Sequence, residues 1–532
     1  MTYFFVFFFF FLRRFYRKKL QKNLYYDTII YIFKVYSRRY IKLDLQIKPK
    51  KKNSTGNKIF LILNWILFAL LTFFTALDLF IMFRHNLLNF KNINYIITGF
   101  MAVILILLFV LNIIRKGKIF TTIMSLFFLL ITFFSFNYLN KGLNLFDKLN
   151  KNAKISENTM IVAVRADSDM NSVNDIKSKV LAPTEMDKEN IDKLVKELQN
   201  KANVKLNIQD TKSYLQAYED LISGKSQVMV LNAAYGDLIA NAHPDYLEKI
   251  KKIYEYKIVE EVKEKKVDKK TDKNDSFNIY VSGIDTYGPI TTVSRSDVNV
   301  LVTVNKKTHK IVLTTTPRDA YVKIAGGGKN QYDKLTHSGI YGIDTSVQTL
   351  ENLYGIKIDH YARVNFTTFM KLIDLVGGID VQNNQDFVSY HGKYHFPVGT
   401  VHLDSKKALG FVRERYSLSD GDRDRGRNHE KVIAAIIKKL TSKAALSNFS
   451  SILDEISSSV QTDMPVSEIM ELVNQQLDSG EDFKIESQSL NGFGKMGLPS
   501  YAMPGYKLYM MEVDKQSLET CKNKMKEILE GK

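Results

Sequence analysis

Five arginines stand within fifteen residues of this chain: Arg413, Arg415, Arg423, Arg425 and Arg427. A solvated basic face more often uses lysine, whereas the planar guanidinium fork grips phosphate oxygens two at a time. Asp420, Asp422 and Asp424 are interleaved with them, so the charges can hold one another in place, as in an anion clamp. Upstream, Arg295 and Arg318 sit beside Asp297 and Asp319, with Asp285 shortly before them. Carboxylates next to guanidiniums suit a hard cation that holds a phosphate. Mg²⁺ is commonly bound by one or two carboxylates and completes its shell with phosphate oxygens. Taken singly, each pair reads equally well as a surface salt bridge worth at most ~1 kcal/mol, and 413–427 as a charged loop.

Three β-rich runs carry the upstream residues: 277–284 (FNIYVSGI), 298–304 (VNVLVTV) and 310–316 (KIVLTTT). The short NKKTH connection between the last two suits a hairpin. If all three strands pair antiparallel, the end of the first, the start of the second and the end of the third lie together. That order brings Asp285, Arg295, Asp297, Arg318 and Asp319 to one sheet edge. Scaffold follows: a helix over 345–354 capped by Asp344 and ended by Gly355, a strand over 358–364, and a helix over 366–376 ended by Gly377 and Gly378. Ile340, Leu350, Leu353, Phe366, Phe369 and Leu372 are ordinary core candidates, or else the lining of a cleft for an isoprenoid chain.

Three apolar runs, 59–83, 93–114 and 119–139, are each long enough to span a bilayer. KPKKK at 48–52 precedes the first and RKGK at 115–118 joins the second to the third, while the loop between the first and second is less basic. Positive charge stays on the cytoplasmic side, so the expected topology is multi-pass in the cell membrane with everything after residue 140 extracytoplasmic. Residues 1–60 hold 15 Lys/Arg against 2 Asp/Glu, a net +13 out of +19 for the chain. The basic excess thus belongs to the membrane-proximal head, where anionic lipid attracts it. It is not a nucleic-acid footprint on the folded part. Residues 1–12 are too short to span and precede their basic cluster, the reverse of a signal peptide. One cysteine, Cys521, excludes an intramolecular disulfide and a thiolate metal site.

The expected organisation is a basic segment (1–57), a three-helix membrane region (58–140), a small accessory α/β domain (150–260), a charged linker (261–275), a main domain (276–443) and a C-terminal extension (444–532). The accessory domain reads as strands at 161–164 and 227–232, helices over 191–200 and 213–224, and another helix near 244–254, with no catalytic cluster.

GID at 283–285, RSD at 295–297, TPRDAYV at 316–322, DKLTHSG at 333–339 and RER with DRDRGRN in 413–428 resemble the LytR-CpsA-Psr family. The order of three membrane helices, accessory domain and catalytic domain resembles its capsule-type branch, the CpsA/Wzg membrane proteins of streptococci. The resemblance implies an α-β-α sandwich with a mixed sheet. It also implies Mg²⁺-dependent phosphotransfer of a glycan from an undecaprenyl-pyrophosphate carrier to a peptidoglycan hydroxyl, with capsule-biosynthesis membrane proteins as further partners. Asp285 and Asp297 match the metal-site aspartates. Arg295, Arg318, Arg413, Arg415 and Arg425 match pyrophosphate-binding arginines, Lys334 lies in a matching motif, and His429 stands where the family commonly has glutamine. The family's hydrophobic tunnel for the lipid tail supports the cleft reading of the six apolar residues. Asp319 is a candidate base or an orienting partner of Arg318. Three rivals stand beside transfer: a regulator that binds the carrier without turnover, a pyrophosphate hydrolase and a DNA-binding regulator. The last is weakest, because the large domain falls outside the cell and residues 1–57 lack a recognition-helix motif.

Overall fold

The computed structural model describes residues 55–115, 117–261, 275–284, 286, 289–442, 452, 454, 457 and 460–532. Residues 1–12, the KPKKK run, nearly all of the charged linker and Asp285 therefore lie outside the described residues.

Three long apolar helices come first: α1 (Thr55–Arg84), α2 (Ile93–Ile114) and α3 (Lys118–Ala153). The apolar stretches Lys58–Arg84, Phe90–Ile114 and Lys118–Asn144, which they form with the short turn before α2, are each long enough to cross a membrane, since at 1.5 Å per residue they reach about 40 Å. Polar side chains link the first helix to the third. Thr122 donates to Asn64 Oδ1 at 2.6 Å, and Asn64 donates to the Lys118 carbonyl at 3.2 Å. Residues 55–69 belong to one packing unit with 107–127, in which Trp65 meets Phe68 and Phe109 edge-on. Residues 70–106 group with 128–532, and there Phe74 meets Phe133 and Phe136 edge-on.

The accessory domain is a five-stranded sheet. It contains β1 (Ile155–Arg165), β2 (Val180–Ala182), β3 (Ile208–Asp210), β4 (Val228–Asn232) and β5 (Ile250–Glu261), in the order β3-β2-β4-β1-β5. Its helices are α4 (Thr184–Ala202), α5 (Tyr214–Ile222), α6 (Gly236–Ala242) and the single turn α7 (Tyr246–Lys249). Alternation along β1 builds two cores. Met160, Val162 and Val164 pack with Ile191, Leu194 and Leu198 of α4, while Ile161 and Ala163 pack with Tyr214, Tyr218 and Leu221 of α5. The second core also takes in Val293, Ile340 and Met503, so one face of the accessory sheet is buried against the main domain. The helix expected near 244–254 is corrected. It lasts one turn and gives way to β5, because Tyr254, Tyr256 and Ile258 alternate toward the sheet.

The main domain is built on a mixed sheet of β6 (Ser276–Ile284), β7 (Val298–Asn305), β8 (Lys310–Thr315), β11 (His360–Asn365), β16 (Gln461–Thr462) and β17 (Lys484–Ser489), ordered β16-β11-β6-β7-β8-β17. A second sheet joins β9 (Ala320–Lys323), β10 (Tyr332–Lys334), β18 (Gly492–Met496) and β19 (Tyr509–Val513). Two small ribbons pair β12 (Ile379–Asn383) with β15 (Gly399–Leu403), and β13 (Phe387–Val388) with β14 (His395–Phe396). The helices are α8 (Ile343–Tyr354), α9 (Phe366–Leu375), α10 (Ser405–Arg413), α11 (Asp422–Leu440), α12 (Val466–Ser479) and α13 (Lys515–Leu529). One face of the large sheet buries Tyr280, Leu301 and Val312 under α8 and α13. The other carries Val300, Val302 and Leu313, with Ile433 and Ile437 of α11 packed against them. This is the expected α-β-α sandwich.

Two further expectations are corrected. The boundary at 443 falls inside the domain, since β16 and β17 belong to the large sheet and α13 closes its core. Asp344 is not the cap of α8. Gly342, at φ 97°, holds that position, and Asp344 lies in the first turn, where its charge favours the helix N-terminus.

His360 at the start of β11 binds Glu468 of α12 at 2.6 Å. Burial opposes its protonation, but the carboxylates of Asp463, 3.7 Å from Nδ1, and of Glu468 outweigh burial and push it up to about 9. A raised histidine pKa stabilises the fold fully below the ordinary value of 6.5 and loses that contribution as pH rises through about 9. Thermal unfolding across this window is expected to show the melting temperature fall with pH in the wild type. His360→Gln is expected to flatten that slope; an unchanged slope would contradict the pairing.

Candidate active site

The register of the large sheet sets the site. Gly283 pairs with Val298 and Val300 with Thr315, so the residues just beyond these ends converge at one edge, as strand order requires. Asp297 is the centre. Arg318 donates to its Oδ2 at 3.0 Å, Arg295 stands 3.9 Å from the same oxygen, and Thr336 donates to Oδ1 at 2.7 Å. Burial alone would raise the Asp297 pKa, but Arg318 and Arg295, with the Thr336 hydroxyl, hold the carboxyl well below the usual range. Asp319 pairs with Lys334 at 2.7 Å and lies 3.9 Å from Arg318 Nε. Among the described residues, the buried Nε atoms of Arg295 and Arg318 have no hydrogen-bond partner. Buried donors are rarely left so, and two guanidinium donors held together are the chemistry of an anion seat.

The arginine-rich segment divides. Arg425 and His429 project from one face of α11 into the same edge as Asp297 and Arg318, and Arg413 and Arg415 approach from the end of α10. Arg413 lies over the Phe366 ring at 4.6 Å and Arg415 over Tyr416 at 4.6 Å. Arg427 instead pairs with Asp420 and Asp424, and Arg423 donates to the Gly492 carbonyl at 2.6 Å. The interleaved aspartates thus brace part of the segment, while three of its five arginines form the anion seat. Burial, with Arg425 beside it, pushes His429 down to about 3. Its imidazole is therefore neutral at pH 7 and can donate one hydrogen bond.

From this polar head an apolar cavity of about 780 Å³ runs between the large sheet and α11. Its lining follows two periods. Along β6, Val281, Ile279 and Phe277 recur at every second residue, and along α11 Val432, Ile436 and Leu440 follow His429 at helical spacing. From Arg425 to Leu440 is fifteen residues, about 22 Å of helix. Of the six apolar residues named for a cleft, Phe366, Phe369 and Leu372 line this cavity. Ile340, Leu350 and Leu353 do not, and that expectation is corrected. Ile340 belongs to the core shared with the accessory sheet, and Leu350 and Leu353 face the opposite side of the large sheet.

Several contributors were not singled out in the sequence. Thr336 sits inside the DKLTHSG motif, on the 3₁₀ helix Leu335–Tyr341, where a hydroxyl beside a converging carboxylate was a readable signal. That helix approaches so closely that a Cβ on Gly339 would stand 2.5 Å from both Ser294 O and Ser296 N. Asp237, on α6 of the accessory domain, lies 3.1 Å from Arg295, and Asn241 one turn later reaches the cavity. A lone aspartate in another domain gives no sequence signal for this contact.

For the expected Mg²⁺, Asp285 is outside the described residues, and among the described residues no group of three or more His, Cys, Asp or Glu side chains could hold a metal ion. Asp297, kept ionised beside an arginine-lined seat, offers one hard oxygen ligand. Such a set fits an ion that takes few protein ligands and fills its shell with phosphate and water, as Mg²⁺ does, and does not fit zinc.

The site is a cationic head opening into an apolar cavity, in a chain whose first helices are long and apolar enough to cross a membrane. The chain belongs to the LytR-CpsA-Psr family, whose model (LytR_cpsA_psr) matches residues 245–527. It is 33% identical over 220 residues to a Bacillus cereus protein named polyisoprenyl-teichoic acid–peptidoglycan teichoic acid transferase TagU, covering 41% of this chain and 70% of that one. A protein of the same name from Enterococcus faecalis is 34% identical over 273 residues, covering 51% and 86%. Among solved structures, Bacillus subtilis TagV is similar with a TM-score of 0.42 and 29% identity over 48% of this chain and 98% of that chain. TagT bound to LIIa-WTA gives 0.41 and 28% over 50% and 95%. A DNA polymerase processivity factor model also matches residues 115–231, a stretch that begins at the second membrane helix's end and stops inside the accessory domain.

Removing one partner of a buried ion pair leaves the other uncompensated, at a cost of about 3–5 kcal/mol. Arg318→Ala is therefore expected to lower the unfolding midpoint strongly, and adding Asp297→Asn to recover part of the loss. In isothermal titration, inorganic pyrophosphate is expected to bind the wild type and to bind Gly339→Ala at least about tenfold more weakly, since the added methyl must displace the Ser294–Ser296 segment that carries Arg295.

Proposed function

We propose that this chain transfers a glycopolymer from a polyprenyl-pyrophosphate carrier to peptidoglycan, with a capsule-type polysaccharide as its cargo. The observation that carries the reading is the continuity of the anion seat with an apolar cavity, the two together following about 22 Å of α11, which matches a diphosphate attached to a hydrocarbon tail. The names of the Bacillus cereus and Enterococcus faecalis relatives support the reaction. Capsule-type cargo draws its support from the three apolar helices and accessory domain preceding the main domain, the order that resembles the family's capsule branch.

In this reading the acceptor hydroxyl oxygen bonds to the phosphorus that bears the glycan. The bond from that phosphorus to the bridging oxygen breaks, the hydroxyl proton is released, and polyprenyl phosphate leaves. Such a transfer depends mostly on positioning and electrostatic stabilisation. Arg295, Arg318 and Arg425 supply fixed positive charge to the diphosphate, Arg413 and Arg415 close the seat from α10, and neutral His429 donates a hydrogen bond. Asp297 aims Arg318 and, being so acidic, is a poor proton acceptor. Asp319 orients Arg318 and Lys334. Mg²⁺, held by Asp297 and by Asp285, would neutralise charge on the diphosphate oxygens.

The membrane arrangement supports an extracytoplasmic site. Asn474 and Asp478 of α12 bind Asn86 O at 2.6 Å and Lys91 N at 2.5 Å, in the loop joining α1 to α2. The main domain thus keeps company with the less basic of the two loops, and it is the more basic loop that charge favours on the cytoplasmic side. On α12 the next face, Ile469, Leu472, Val473 and Gln476, lines the cavity away from the arginines. The tail end of the cavity therefore adjoins the membrane loop, where a carrier lipid enters.

The test uses the full chain in detergent or nanodiscs with a lipid-pyrophosphate oligosaccharide, a peptidoglycan fragment and Mg²⁺, scoring polyprenyl phosphate and the glycan–peptidoglycan adduct. Asp297→Asn and Arg318→Ala are expected to lower both products about 10²–10³-fold, the usual cost of removing one preorganised charge-stabilising group. Equal turnover by all three proteins would remove the enzymatic reading. Lipid phosphate without adduct would make the chain a hydrolase, and activity unchanged by chelator would remove the magnesium.

A further inference from the structure

Two tyrosines stand at the mouth of the anion seat, and no step of the proposed transfer uses them. Tyr390 is 57% and Tyr416 68% exposed, yet their ring centroids are 5.5 Å apart at 59°. Tyr416 and the neighbouring His391 line the cavity together with Arg413, Arg415 and Arg425, which puts the rings at its polar head. A single exposed aromatic needs no explanation. A pair held side by side by dedicated parts does.

Those parts converge on Glu414, whose side chain lies within a residue only 1% exposed. Its carboxylate accepts from the backbone N–H of Tyr390, and from those of Arg415, Tyr416 and Ser417 at 3.0, 2.7 and 2.9 Å. Ser417 also donates to the Val388 carbonyl at 2.7 Å. One buried carboxylate thus clamps the loop after β13 to the loop after α10, and each loop contributes one ring. Cations flank both: the Arg415 guanidinium lies 4.6 Å from the Tyr416 centroid, and Lys393 Nζ 4.7 Å from that of Tyr390. The rings are fixed apolar planes in water, bordered by hydrogen-bond donors.

We propose that Tyr390 and Tyr416 form a stacking platform for a pyranose ring of the glycan substrate. A pyranose offers a flat C–H face and a rim of hydroxyls. A tyrosine matches the face with its ring and reaches the rim with its hydroxyl, and Arg415 and Lys393 can donate to the ring's oxygen substituents. The placement follows from substrate shape. With the diphosphate on the arginines and the hydrocarbon in the cavity, the sugar leaves on the open side, where these rings stand. This inference rests on the proposed transfer for the identity of the sugar's source, either the carrier-linked glycan or the acceptor glycan strand; the pyranose chemistry is common to both.

The experiment compares wild-type full-length protein with Tyr390→Ala, with Tyr390→Ala/Tyr416→Ala, and with the Phe counterparts, which keep the stacking plane. Affinity is measured for polyprenyl pyrophosphate with and without its oligosaccharide, and for a peptidoglycan glycan fragment. A free N-acetylhexosamine disaccharide is titrated separately by saturation-transfer NMR. The Ala variants are expected to weaken binding of the glycan-bearing lipid about tenfold relative to the bare lipid, as loss of one or two aromatic contacts predicts, and to lose the disaccharide signal, while the Phe variants retain both. A loss confined to the peptidoglycan fragment would assign the platform to the acceptor. Equal weakening of bare and glycan-bearing lipid, or an undiminished disaccharide signal in the double Ala variant, would overturn the platform. Failure of the wild type to bind the bare lipid would instead sink the transfer reading, with the disaccharide titration still deciding the platform.

Discussion

The site hangs on one buried carboxylate. Asp297 stays ionised away from water only because Arg318, Arg295 and Thr336 surround it, and those groups are held in place by Asp297 in turn. Burying a charge is costly unless it is paired and hydrogen-bonded, so the strand ends, the 3₁₀ helix and the accessory helix must all arrive for any of them to be stable there. The bare Cα of Gly339 against Ser294 and Ser296 and the Asp237 contact to Arg295 are consequences of that crowding. The accessory domain is thereby part of the site's electrostatics, whatever else it does.

The same constraint explains the division of the arginine-rich segment. Charges that brace the start of α11 must point along the surface, as Arg427 does toward Asp420 and Asp424. Charges that serve the seat must point inward, as Arg425 does. Helical spacing then carries the transition from polar to apolar: Arg425 and His429 belong to the seat, and Val432, Ile436 and Leu440 on the same face belong to the cavity. A single amphipathic helix thus reads out both halves of an amphiphile.

Much of this arrangement was legible in the residues. The strands 277–284, 298–304 and 310–316 are rich in β-branched residues and joined by a short hairpin, so their order alone fixed which ends meet, and Arg295, Asp297, Arg318 and Asp319 fell there. The family motifs marked the arginines of 413–425. What was not legible has physical causes. β17 (KIESQS) is a polar edge strand without an apolar alternation, and β16 has only two residues, so neither announced that the sheet continued past 443. The apolar face of α8 is as amphipathic as that of α9, and nothing in the spacing says which side of a sheet a helix will cover. Leu350 and Phe369 therefore looked alike and ended on opposite faces. The Asp237 contact depends on docking two sheets, a property no local pattern carries.

The docking of α12 on the loop between the first two membrane helices bears on the economics of the lipid's journey. One face of this helix walls the cavity while the adjoining face is bonded to that loop. Under the proposed reading, hydrocarbon passes from leaflet to protein without crossing an aqueous gap. Transfer of a long tail through water would impose a barrier of ~0.8 kcal/mol for every methylene wetted. Contiguity removes that barrier in both directions, so the spent carrier can return to the leaflet by sliding, and its recycling is set by lateral diffusion rather than by extraction.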